Sequence, residues 1–65
     1  MAAPPIDWAY IICRLQRAGL TLEEQARELE VSRRQLHRYK LGENEPSYTI
    51  GSRLVSLYRI AYPST

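Results

Sequence analysis

The chain has 65 residues, with 9 Lys/Arg against 7 Asp/Glu and a formal net charge of +2. A domain this small buries only about 60% of the surface its unfolded chain exposes, so little core is available and none can be wasted. One cysteine and one histidine exclude an intramolecular disulfide and a four-ligand zinc site. With no apolar run near the ~20 residues of a bilayer span and no secretory start, the expected setting is the cytoplasm.

Met1 to Pro5 reads as a flexible arm, because two consecutive prolines resist helix. Asp7 is placed to cap a first helix, with Ile6 and Ile11 able to form a hydrophobic staple across its start. That helix is expected to run to about Ala18 and stop at Gly19. Trp8, Ile11, Ile12, Leu15 and Ala18 then point inward, Tyr10, Arg14 and Arg17 lie toward the rim, and Cys13 sits at the edge of the packed face.

Thr21 and Glu24 have the spacing of a capping box, which starts a short helix with Leu22, Ala26 and Leu29 inward. Thr21 to Glu30 holds four glutamates against one arginine, in contrast with the basic stretch that follows the turn at Glu30 and Val31. Ser32 and Gln35 repeat the capping-box spacing. Between Ser32 and Lys40 stand Arg33, Arg34, Arg38, Lys40 and His37. At about 100° per residue, Arg33, Arg34, His37 and Arg38 gather on one side, while Leu36 and Tyr39 fall on the other behind Val31. One side packs and the other suits a polyanion, as a DNA-reading helix requires. Two short helices joined by so tight a turn form a helix-turn-helix arrangement.

The basic helix should end before Gly42, and the loop Glu43-Asn44-Glu45-Pro46 leads to a last helix that Pro46, Ser47 or Thr49 can initiate. Over Ser47 to Ala61, Ile50, Leu54, Leu57 and Ala61 form a core-facing stripe. Tyr48, Val55, Tyr58 and Tyr62 form a second one, displaced by roughly 115°. The second stripe fits a subunit contact; the alternative is that Tyr58 or Tyr62 folds back over the first helix. The expected fold is all-α, a four- or five-helix helix-turn-helix domain over residues 6–62, with an arm at 1–5 and a tail at 63–65.

From Leu20 to about Ala61 the chain resembles the phage Cro and lambdoid-repressor family of helix-turn-helix regulators, the xenobiotic-response-element type. The residues that carry the resemblance are Leu20-Thr21, Ala26, Leu29, Val31-Ser32, Leu36, Tyr39, Gly42 and Glu45-Pro46-Ser47. The length and the Pro-Ser-Tyr-Thr-Ile start of the last helix are also similar to small repressors associated with anti-CRISPR operons. Two positions depart from the family pattern. Glu30 stands where glycine is common in the turn, and Leu22 stands where a phosphate-binding glutamine is common, followed by Glu23 and Glu24.

The resemblance implies that Ser32, Arg33, Arg34, His37 and Arg38 reach base edges. Arginine suits that task because its planar fork can donate two hydrogen bonds to O6 and N7 of one guanine. Arg17, Lys40, Asn44, Arg53 and the helix start at Ser47, Tyr48 and Thr49 are the candidate phosphate contacts, all able to donate to phosphate oxygens. The implied function is a sequence-specific regulator of double-stranded DNA. It would act as a dimeric phage or mobile-element repressor, occupying an inverted repeat in the nucleoid and blocking polymerase. The rival is a protein-interaction adaptor on the same scaffold. No enzyme activity, metal, cofactor, membrane partner or small-molecule effector is expected, since no paired carboxylates, metal-ligand cluster or nucleophile-base set is present.

Overall fold

The computed structural model describes residues 6–63. The expected arm at 1–5 and residues 64 and 65 of the expected tail lie outside the described residues. Four helices follow one another: α1 (Trp8–Arg17), α2 (Leu22–Leu29), α3 (Arg33–Leu41) and α4 (Tyr48–Ala61).

Each helix begins where a short oxygen-bearing side chain takes up an otherwise unpaired backbone N–H. Asp7, Thr21, Ser32 and Ser47 accept from the N–H groups of Tyr10, Glu24, Gln35 and Ile50 at 3.0 to 3.3 Å. At α2 the box is complete, because the Glu24 carboxylate also accepts from the Thr21 N–H at 3.1 Å. At α3 only the Ser32 half forms, so the second expected box is a simple cap.

Three helices end alike. Leu20, Val31 and Glu43 each donate their N–H to the carbonyl five residues back, at 3.0 Å, and the residue just before each is left-handed. Gly19 and Gly42 occupy two of these left-handed positions, and Glu30 the third, at φ 57°. The turn therefore does require a positive φ, which costs a non-glycine residue about 1 kcal/mol. Arg53 of α4 reaches across to this turn. Its Nη1 donates to the Leu29 carbonyl at 3.4 Å and to the Glu30 carboxylate at 2.8 Å. An exposed pair of this kind contributes between zero and about 1 kcal/mol, at most comparable to the strain.

The core joins all four helices: Ile11, Ile12 and Leu15, Ala26 and Leu29, Leu36 and Tyr39, and Leu54. α1 packs against the other three helices, and α2 against α3 and α4. The expected inward residues are therefore mostly in place. Ala18 is the exception, exposed where α1 ends. Ile6, expected to staple onto Ile11, is 52% exposed and lines an open groove with Trp8, Pro46 and Tyr48. Cys13 is exposed rather than tucked at the packed edge.

Gln25 is fully buried between α1 and α2. Its amide nitrogen donates to the Leu20 carbonyl at 3.0 Å and the Ile12 carbonyl at 3.3 Å, so this polar side chain ties the α1–α2 connection to the core. The Trp8 ring lies over Gly51, and a Cβ there would come within 2.8 Å of it. The second stripe of α4 divides. Tyr58 and Tyr62 fold back over α1, as the alternative reading had it, with ring centroids 6.4 Å from Tyr10 to Tyr58 and 5.3 Å from Tyr58 to Tyr62. The Tyr62 hydroxyl donates to the Arg14 carbonyl at 2.6 Å, and the Arg14 guanidinium lies 4.4 Å from the Tyr62 ring centroid. Arg14 is accordingly half-buried, not a rim residue.

Leu36 is fully buried at the junction of α3 with the core. Leu36→Ala should lower unfolding free energy by about 2–5 kcal/mol, a large share of the stability of a domain this size. Chemical denaturation followed by circular dichroism measures it, and an unchanged midpoint would show that Leu36 does not anchor α3.

Candidate nucleic-acid interface

Burying Leu36 and Tyr39 fixes the rotation of α3 about its axis, and that rotation determines what the helix presents outward. Ser32, Arg33, Arg34, His37 and Arg38 are all exposed, so the five expected base-reading residues share the solvent side of α3 and its cap. Arg33, Arg34 and His37 line a single shallow cleft, whose fourth wall is Leu22 at the start of α2. Arg33 and Leu22 also border a neighbouring cleft with Gln16, Thr21 and Glu23.

The charges on this face are uncompensated. Among the described residues the one ion pair is Arg53 with Glu30, so no carboxylate binds Arg33, Arg34 or Arg38. At the acidic start of α2, Glu23 lines the cleft beside Arg33, while Glu24 is bonded to the cap. The Thr21 backbone N–H, followed by the Thr21 hydroxyl, holds the Glu24 carboxyl below the ordinary carboxylate range and ties it to the cap. What remains is a concave face with three nearby cationic or titratable side chains and one apolar wall, suited to a polyanion with groups to hydrogen-bond.

The candidate phosphate contacts do not form one set. Lys40 is half-buried and donates to the Gln16 side-chain oxygen at 3.1 Å, which holds its ammonium at the α1–α3 seam. Arg53 is occupied in closing the α2–α3 turn. Tyr48, Thr49 and Arg53 border a groove that also contains the Glu28 carboxylate, an unfavourable neighbour for phosphate. Arg17 lies in a different shallow cleft with Tyr10, Cys13 and Arg14. Asn44 and Ser47 are exposed around the loop into α4. Gln16 and Leu22 also line the clefts beside Arg33, although neither is among the expected contacts. Gln16 carries no sequence signal, whereas Leu22 does, as an apolar residue at the first position of a helix otherwise charged at its start.

A family model described as Helix-turn-helix matches residues 12–62. This span runs from the middle of α1 to the end of α4 and includes the whole candidate face. No curated protein and no solved structure matches the chain.

Arg33→Ala and Arg34→Ala should each weaken binding to a selected duplex by about 1–3 kcal/mol and relax the preference at one base pair. Competition binding against random DNA measures both effects. Equal losses on selected and random duplexes would make these residues phosphate contacts.

Proposed function

The chain belongs to the helix-turn-helix family, whose members are DNA-binding transcription regulators, and from that premise we propose that it is a sequence-specific repressor. The supporting observation is the outer face of α3, where Arg33, Arg34, His37 and Arg38 stand exposed with no acidic partner among the described residues, while Leu36 and Tyr39 anchor the helix from behind. A helix so held can enter the major groove N-terminus first, where arginine forks meet guanine edges and the helix dipole favours the phosphates. Its action is occlusion: a protein seated across a promoter denies it to polymerase. Phage or mobile-element control in the bacterial cytoplasm is the setting in which we place it, on the resemblance to the Cro and lambdoid-repressor regulators.

One such domain reads too few base pairs to find a unique site, and two copies related by a two-fold axis overcome this. The surface we assign to that contact is the start of α4. Tyr48 is 91% exposed there, and it borders an open groove with Ile6, Trp8, Pro46 and Val55. A tyrosine this exposed beside half-buried apolar side chains has the composition of an interface centre. Tyr58 and Tyr62 enter this assignment as the layer that holds α4 on α1 rather than as direct contacts. The operator is then an inverted repeat with half-sites about 10 base pairs apart, centre to centre.

Tyr48→Asp should leave the fold intact, because its side chain is almost fully solvated, and should convert a dimer into a monomer in the absence of DNA. Sedimentation analysis of both proteins, alone and with a palindromic duplex, measures this. A parent protein that remains one copy per duplex at saturation would contradict the dimer. Duplex affinity that is negligible at moderate salt would favour the adaptor reading over the repressor.

A further inference from the structure

We propose that Leu22 is a specificity-determining residue, and that it reads the 5-methyl group of a pyrimidine beside a guanine held by the α3 arginines. The inference rests on the DNA-reading function above and adds a chemical identity to one base of the half-site.

Leu22 is the first residue of α2, and its half-buried side chain packs on the core with one flank in the open. That flank is a wall of both clefts in front of α3, one shared with Arg33, Arg34 and His37, the other with Gln16, Thr21, Glu23 and Arg33. An isobutyl group cannot donate a hydrogen bond, so it cannot take a phosphate oxygen. Glu23 beside it repels phosphate as well. Where it faces DNA, the Leu22 side chain gains nothing from the phosphate backbone and must find an apolar group.

The major groove offers one such group, the C5-methyl of thymine or of 5-methylcytosine. Every other base edge there presents a donor or an acceptor, which an apolar wall would strip of water without replacing. Arg33 lines both clefts with Leu22. An arginine fork on guanine and a leucine flank on an adjacent methyl group therefore address one base step together. The pair reads a guanine by hydrogen bonds and its neighbour by burial.

The test starts from the duplex recovered by selection from a random pool with the parent protein. Each thymine of one half-site is replaced in turn by deoxyuridine, which removes the methyl group and leaves the base pair unchanged. At one position next to an arginine-read guanine, affinity should fall about fourfold, the value of burying one methyl group. Cytosine there should bind more weakly than 5-methylcytosine by a similar factor if the methyl alone is read, and by no factor at all if thymine is recognised through its O4. Leu22→Ala and Leu22→Gln, each confirmed folded by circular dichroism, should bind the thymine and deoxyuridine duplexes alike. Discrimination that persists undiminished in both variants overturns the inference, as does a parent protein indifferent to every thymine methyl or to cytosine methylation at that position. A pool that yields no selected duplex overturns the DNA-reading function itself, a result distinguishable from failure of the Leu22 assignment.

Discussion

The orientation of α3, and with it the candidate DNA-reading face, depends on the left-handed turn at Glu30. The chain must leave α2 and start α3 within three residues, and only a positive φ lets the Val31 N–H return to the Ala26 carbonyl while Ser32 begins the next cap. At the equivalent places after α1 and α3, glycine adopts that conformation at no steric cost. Glu30 does not, and its carboxylate instead takes a guanidinium from α4 that also binds the last carbonyl region of α2. The crossing of α2 and α3 is set by the shared core of Ala26, Leu29, Leu36 and Tyr39, and Arg53 of α4 adds one contact to the turn between them. A rigid crossing keeps the apolar pair of α3 in the core and its arginines out of it.

Much of this was legible in the residues. Short polar side chains before apolar periodicity located the first three helix starts and narrowed the fourth to Pro46, Ser47 or Thr49, of which Ser47 is the cap, and the separation of Leu36 and Tyr39 from Arg33, Arg34, His37 and Arg38 gave the rotation of α3. Both signals are local, set by neighbours within one or two turns. The features that escaped a linear reading involve residues distant in the chain. Arg53 looked available to phosphate because its partner lies 23 residues away. Lys40 looked free because Gln16 lies 24 residues away. Gln25, polar by type, is fully buried, and its amide nitrogen donates to the Ile12 and Leu20 carbonyls, 13 and 5 residues away.

The tyrosine stripe of α4 illustrates the same limit. Helical periodicity places Tyr58 and Tyr62 on a second face but says nothing about what covers that face. In the folded chain, α1 covers it with Tyr10 and Arg14, through ring contacts and a hydroxyl bonded to backbone. Gly51 has a comparable role. A glycine within a helix costs about 1 kcal/mol relative to alanine, and its reason becomes visible only when the Trp8 ring is seen lying on its Cα. Of the stripe, Tyr48 alone stays fully outward. Folding thus partly buries Tyr58 and Tyr62 against α1 and leaves Tyr48 at the start of α4 among the exposed large apolar side chains of the described residues.

Backbone amide shifts in an isotope-labelled sample, followed during titration with the selected duplex at moderate salt, test the central claim that α3 and the flank of α2 form the DNA-reading face. The account predicts that the largest changes fall on Ser32 to Arg38 and on Leu22, with the amides around Tyr10 and Cys13 on the outer side of α1 nearly unmoved. Largest changes on that outer side of α1, with α3 unaffected, would contradict it.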